Sequence, residues 1–416
     1  MKRSLLITIL IFMLASRFAF ADKTVECEEA TAVYMIFDQA PESLTVNGKA
    51  IENPYFLHQY VEIEPATKIV IEGADPKEVH TFKKENVPSW VQKWEAPCEK
   101  ADLLLISSHA DDEQLFFAGI LPYYTQVKGY EVQVAYATDH ANEIGRHHER
   151  LNGLWECGVR HYPVSSGYAD LYSESYEQAL ANLAPYGISE EDIVNWEKSL
   201  LSEFEPQIVV THDVNGEYGH GMHKLVNGTV RKVLENAEKD FPFLKKVYFH
   251  LYDENQIVLG WMDEIYDELG GLTPFQVTQQ KGFEAHQSQH WTWFKGWIHG
   301  KNNEITKASQ IGTYNPAYYG CYYSSVGPDH AKNDFFENVM SYEEQRIAAE
   351  EKAKEEAAEK QRQFEEEARA KELEKAKKQK TIIIAATSAV IIVSIIVIII
   401  RSSLRKKEKA GKHAKH

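Results

Sequence analysis

The stretch "SSHADDE", Ser107 to Glu113, sets His109, Asp111, Asp112 and Glu113 almost side by side. A second stretch, "THDVNGEYGHGMHK" from Thr211 to Lys224, holds His212, Asp213, Glu217, Tyr218, His220 and His223. Imidazole and carboxylate donors without thiolate suit a catalytic Zn2+, with the remaining positions left to water and substrate. His109, Asp112 and His223 would make such a set. Metal there would lower the pKa of a water and polarise a carbonyl. Asp111, next to a ligand but not needed as one, would take the water's proton. Tyr218 or His220 would stabilise the oxyanion. One aspartate at a helix start is explained by capping the first backbone N–H groups. A histidine, two aspartates and a glutamate are more than a cap needs.

These clusters need elements to bring them together. "DLLLISS" ahead of the first cluster reads as a buried strand, followed by a helix through Tyr124. "EVQVAYAT", Glu131 to Thr138, reads as a strand, with a helix near Arg146 to Cys157 behind it. Ser189 and Asp192 look like a capping pair, after which Ile193, Trp196, Leu200, Leu201 and Phe204 keep helical spacing. "PQIVVTH" and "KKVYFHLY" are further buried strands. Alternation of this kind implies an α/β fold, a Rossmann-like and mostly parallel sheet with helices on both faces. The carboxyl ends of parallel strands share one edge, so the turns after Ile106 and Val210 would face each other.

The two clusters, in this order, resemble those of the PIG-L/LmbE-like zinc-dependent N-deacetylases, whose first motif is A-H-P-D-D-E after a strand and whose second is a GH-x-x-H run. The resemblance covers roughly residues 101 to 252, with fainter echoes at "AHQSQ" and "YYSSVGPD". It implies Zn2+ on His109, Asp112 and His223, Asp111 as general base, and His220 and Tyr218 polarising or stabilising the carbonyl oxygen. It also implies hydrolysis of an N-acetyl group, typically on an N-acetylglucosamine unit. Arg146 and Glu149 fit an R-x-x-E element of the family with a structural or substrate-positioning role. Ala110 stands where the family has proline, which bears on the stiffness of the turn.

The rest of the 416-residue chain suggests where this chemistry would act. Residues 1–21, with Lys2, Arg3, an apolar run and Ala19-Phe20-Ala21, read as a secretory signal peptide. Residues 22–98 read as a small β-rich region of short strands ("ATAVYMIFD", "SLTVNG", "QYVEIEP", "TKIVIEG"), and 99–335 as the deacetylase-like domain. Residues 341–380 are rich in Ala, Glu, Lys, Arg and Gln and read as a charged helical stalk, or else a charged linker. Residues 381–400 have no charged side chain and suit one transmembrane helix, and 401–416 form a basic tail. The expected location is the cell membrane, single-pass, with the catalytic domain outside and the tail in the cytoplasm.

A net charge of −17 argues against a nucleic-acid partner. Cys27, Cys98, Cys157 and Cys321 allow three disulfide pairings, and Cys27 and Cys98 flank the β-rich region and could close it. Asn227-Gly228-Thr229 is a lone glycosylation sequon. The aromatic stretches "HWTWFKGW" and "YNPAYYGCYY" read as core under loops or as a rim that stacks on sugar rings. Three readings follow. One is an anchored deacetylase of a surface glycan or glycoconjugate. The second is the same chemistry on a small glycoside or glycolipid. The third is a non-catalytic surface glycan-binding protein on the same fold.

Overall fold

The computed structural model describes residues 22–140, 143–290, 293–327 and 331–413. The expected signal peptide, 1–21, lies outside them. Contacts divide the chain into two units, one ending at Tyr342 and the other beginning at Glu343.

The first unit opens with an antiparallel sheet of β1 (Lys23–Ile36), β2 (Thr45–Val46), β3 (Lys49–Ala50), β4 (His58–Glu72) and β5 (Glu78–Phe82), in the order β3-β2-β4-β1-β5. Val33, Met35, Ile69 and Ile71 alternate inward and form its core with Phe37 and Leu44. "QYVEIEP" and "TKIVIEG", expected as separate strands, are one long strand, β4. Its pairing with β1 is irregular between Glu26 and Ala32. Pro65, which has no N–H to give, sits opposite this irregularity and so interrupts no regular ladder.

The second sheet contains β6 (Leu103–Ser107), β7 (Val132–Asp139), β8 (Val164–Ala169), β9 (Ile208–Thr211), β10 (Lys246–His250), β11 (Gln256–Val258) and β12 (Tyr318–Ser324). Their order is β11-β12-β10-β9-β6-β7-β8. From β10 to β8 all neighbours are parallel, while β12 and β11 add an antiparallel edge. In β6, Leu103 and Leu105 enter one core cluster and Leu104 and Ile106 the other. Each of the four is fully buried, worth about 1.5–3 kcal/mol per side chain. Helices cover both faces. Leu151 and Leu154 of α2 (Ile144–Glu156) pack into the first cluster. Residues of α3 (Tyr176–Leu183), α4 (Glu190–Phe204) and α5 (Gly221–Val233) pack into the second. The Ser189–Asp192 capping box starts α4 as expected.

The helix expected through Tyr124 is broken. α1 (Asp112–Leu115) lasts one turn, the chain reverses hand at Gly119 (φ 85°), and helix resumes at Ile120. A Cβ at Gly119 would lie 3.2 Å from Met262 Cγ, so both the dihedral and the close packing favour glycine. The four cysteines are free, so Cys27 and Cys98 do not close the β-rich region. Cys98 instead lies beside His161 and Glu131. The sequon is part of α5: Asn227 and Thr229 are fully buried, and Asn227 Nδ2 donates to His212 O at 2.8 Å. It therefore serves packing and does not present an acceptor for a glycan.

The second unit is formed by the helix Tyr342–His413 from Glu343 onward, which runs unbroken through the charged segment and the apolar one. It is long and apolar enough to cross a membrane.

Candidate metal centre

The sheet places a polar side chain just past the carboxyl end of each parallel strand: His109 after β6, His140 after β7, Asp170 after β8, His212 after β9, and His250 ending β10. Ligands in open α/β sheets collect at this edge because strand ends there meet helix starts. His109, Asp112, His212 and His223 are all buried, and so are Asp111 and Glu217.

Three donor atoms converge. His109 Nδ1 lies 3.1 Å from Asp112 Oδ2, His223 Nε2 lies 3.3 Å from the same oxygen, and the two nitrogens are 3.2 Å apart. Donors about 2.0–2.2 Å from one tetrahedral ion stand roughly 3.3–3.6 Å from each other, so the triangle suits one cation with little adjustment. The outer nitrogens face carboxylates. His223 Nδ1 donates to Glu217 Oε2 at 2.6 Å, which leaves the Nε2 lone pair facing inward. His109 Nε2 faces Asp170 Oδ1 at 3.3 Å. Carboxylates behind ligating imidazoles fix their tautomer and raise their basicity.

Two further histidines lie within reach of the triangle, and their hydrogen bonds separate their roles. The Ser108 backbone N–H donates to His212 Nε2 at 2.8 Å. That uses the lone pair a metal would need. His212 Nδ1 lies 3.2 Å from Glu217 Oε2. At His220, the N-cap of α5, Nδ1 accepts from the Met222 N–H at 3.2 Å. Burial, reinforced by His109 and His223, pushes this imidazole down to about 2, so it is neutral. A neutral ring that accepts at Nδ1 carries its proton on Nε2. In this form His220 presents a hydrogen-bond donor, although one of its ring nitrogens also lies close enough to those of His109 and His223 to share a metal with them.

Charge follows the same pattern. Burial opposes the charged form of His109, yet Asp170 and Asp112 outweigh it and raise the imidazole to about 10. Burial likewise opposes a charged His223, while Asp112 and Glu217 raise it to about 9. Burial would raise the Asp112 carboxyl, but His223 and His109 hold it well below the usual range.

Asp111 sits at the N-cap of α1 with φ 122°, a costly conformation for a non-glycine residue. Its N–H donates to Glu113 Oε2 at 2.9 Å, and Glu113 Oε1 lies 3.1 Å from His286 Nε2. Burial raises the Asp111 carboxyl to about 7, against the pull of Arg146, whose Nη2 is 3.6 Å from Oδ1. The Arg146 guanidinium also donates to Ala110 O. The turn that lacks the family's proline is therefore held from outside by α2. Glu149, one turn further on, accepts from Ser288 N at 2.8 Å and Oγ at 2.6 Å, anchoring the "AHQSQ" stretch.

Tyr218 stands beside the triangle, its ring 5.7 Å from those of His220 and His223. Burial, then Asp112, raises its phenol. Its other ring neighbours are Phe116, Trp293, Phe294 and Tyr314. Trp293 is half exposed, and Tyr172, whose ring lies 5.6 Å from that of His220, is more exposed still. Exposed aromatics thus lie beside the site.

The six residues expected to hold metal or do catalysis, His109, Asp111, Asp112, Tyr218, His220 and His223, are brought together here. Sequence reading missed Asp170 and gave Glu217 no role. Glu217 is buried under three imidazoles, with His250 Nδ1 3.0 Å from Oε1 and Asp213 N–H donating to Oε1 at 3.0 Å. Asp170 has no motif around it. The only available signal was its position just after a strand on the shared edge.

Comparison with known proteins follows the same residues. Residues 104–234 match the family described as PIG-L: GlcNAc-PI de-N-acetylase. Over 150 residues the chain is 29% identical to 1D-myo-inositol 2-acetamido-2-deoxy-alpha-D-glucopyranoside deacetylase of Mycobacterium leprae (strain Br4923), covering 30% of this chain and 47% of the relative. Over 236 residues it is 26% identical to the protein of the same name from Mycolicibacterium gilvum (strain PYR-GCK), covering 46% of this chain and 81% of the relative. The chain thus spans about half the length of the first of these relatives. Among solved structures it is similar to N,N'-diacetylchitobiose deacetylase from Pyrococcus horikoshii, with a TM-score of 0.36 and 17% identity over 54% of this chain and 85% of that one.

Proposed function

We propose that this chain, which belongs to the PIG-L family through residues 104–234, hydrolyses the N-acetyl group of an N-acetylglucosamine-type sugar in a surface glycan or glycoconjugate. The observation that carries the reading is the triangle of His109 Nδ1, Asp112 Oδ2 and His223 Nε2, with the Asp111 carboxyl on the next residue. These three donors would hold Zn2+, which when bound supplies Lewis acidity to the acetyl carbonyl and a water of lowered pKa.

The chain's own groups do the rest. Asp111 accepts the proton of the attacking water, a task suited to a carboxyl held near 7. The neutral His220 presents Nε2–H, and Tyr218 its phenol, to the oxygen on which negative charge grows. These donors gain strength as that charge develops, so they lower the barrier more than they tighten substrate binding. The proton held on Asp111 then passes to the departing amine. Acetate and a free amino sugar leave. Tyr218, Trp293 and Tyr172 give the sugar an aromatic border and keep water from the reacting carbon.

The enzyme works outside the cell. Residues 1–21 direct export, 381–400 span the membrane, and the basic tail stays in the cytoplasm. The test is acetate release by the detergent-solubilised full chain from N-acetylglucosamine glycosides and oligomers. Zn2+-dependent release is expected, with Asp111→Asn lowering kcat about 10²–10⁴-fold while metal content is unchanged. Equal rates for wild type and Asp111→Asn would contradict the assignment.

A further inference from the structure

A second concave site lies away from the metal centre, where the N-terminal sheet meets α2. The cavity measures 490 Å³, inside the range of about 300–1,000 Å³ common to small-ligand sites. Its aromatic walls are Tyr34, Trp90 and Trp155. Trp90 is 47% exposed, yet Tyr34, His80 and Phe82 hold it by edge contacts with ring centroids 5.7, 5.2 and 6.0 Å away. A large aromatic surface, open to solvent and held rigid, suits stacking on a ring ligand, because little side-chain entropy remains to be lost.

The polar groups of the cavity form a directed chain. Tyr34 OH lies 2.5 Å from His58 Nδ1, and His58 Nε2 lies 2.8 Å from His148 Nδ1. His58 Nδ1 is the only hydrogen-bond partner of the Tyr34 hydroxyl among the described residues, so the hydroxyl proton is directed at it. Burial keeps His58 neutral, at about 3. His58 therefore accepts at Nδ1 and donates from Nε2. His148 accepts in turn at Nδ1 and carries its own proton on Nε2. That Nε2 is buried without a hydrogen-bond partner among the described residues; Asp38 Oδ1 is 3.8 Å away. Next to it on α2, Asn152 accepts from Gln92 Nε2 at 2.6 Å through Oδ1, and its amide N–H groups have no acceptor among the described residues. The site thus offers donors that lack acceptors, beside flat apolar walls. Lys77 is paired with Asp38 at 3.2 Å, and Glu78 and Glu156 add negative charge, so an anionic ligand is disfavoured.

We infer that this cavity is a second sugar-binding subsite, which takes a neutral, acceptor-rich N-acetylhexosamine unit remote from the one being deacetylated. The inference rests on the deacetylase reading for the identity of the ligand, and it assigns the N-terminal sheet a role in holding an oligomeric substrate. α2 joins the two sites: Arg146 holds the Asp111 turn, while His148, Asn152, Trp155 and Glu156 line the cavity.

The test compares wild type with Trp90→Ala and His148→Leu in the full-length chain. It measures calorimetric binding of N-acetylglucosamine hexamer, and kcat and KM on that hexamer and on a monosaccharide N-acetylglucosaminide. Both variants should bind the hexamer at least tenfold more weakly and raise KM on it by a similar factor. Their kcat and KM on the monosaccharide should stay at wild-type values. Wild-type hexamer binding and KM in both variants, with melting temperatures unchanged, would overturn the subsite while leaving the deacetylase reading intact. Loss of hexamer binding in the variants of a chain that releases no acetate from any sugar would uphold the subsite and overturn the deacetylase reading. Equal loss on hexamer and monosaccharide would show that the cavity acts only through the fold, and would overturn the subsite.

Discussion

Asp111 is two residues from His109 and adjacent to Asp112, and its environment is tuned by a residue from another element. Burial raises its carboxyl and the Arg146 guanidinium lowers it. Its base form exists above its pKa and is lost as pH falls, so activity should show an acid limb at or below about 7, since bound cation lowers it further. Removing the Arg146 charge removes a lowering influence. Arg146→Gln should shift that limb to higher pH, as read from kcat/KM against pH; an unmoved or lowered limb would show that Asp111 is not the titrating base. Glu217 invites a second residue-scale experiment. Ring nitrogens of His212, His223 and His250 and the Asp213 N–H converge on its two oxygens. An amide has one oxygen and would turn an NH2 toward a donor. Glu217→Gln should weaken metal affinity about 10–100-fold, with activity regained at excess metal. Unchanged affinity in a chelator competition would mean the bracing carboxylate does not matter to the site.

At the level of elements, the strands around the site were readable because burial on both faces demands unbroken apolar runs. "LLLI" and "IVV" declare β6 and β9 without help from tertiary context. The first motif was readable because its residue types exceed what a cap requires. Asp170 was not, because its role depends on β8 being the neighbour of β7, which is a property of topology rather than of local sequence. The length of β4 was hidden by Pro65, and the break after α1 by an apolar pattern that fits a longer helix until Gly119 takes its left-handed conformation. One buried charge between elements makes its own prediction. Glu197 on α4 is fully buried against α5; Oε1 accepts from Thr229 at 2.7 Å and Oε2 has no partner among the described residues. Burial holds this carboxyl well above its ordinary value. A raised acid stabilises the fold least at high pH, because ionisation favours the unfolded chain once pH exceeds about 4.5. Glu197→Gln should therefore match wild type below that pH and gain on it above, by up to about 1.4 kcal/mol per pH unit until the buried group itself ionises. Thermal melts across pH 4–8 would show it, and parallel melting curves would refute it.

The whole molecule combines an α/β body, which gathers one donor from each strand end, with a long helix whose apolar segment has the length of a bilayer. Residues 381–400 should keep the chain in the membrane fraction through an alkaline carbonate wash, and a chain ending at Lys380 should be released by it. Release of the full chain would remove the anchor from the account. The measurement that bears most directly on the central claim is anomalous diffraction at the zinc edge from crystals of the zinc-loaded protein. One peak per chain is expected, within about 2.0–2.2 Å of His109 Nδ1, Asp112 Oδ2 and His223 Nε2, and beside the Asp111 carboxylate. A peak bonded to His212 Nε2 or His220 Nε2 in place of one of these three, or none at the strand ends, would contradict it.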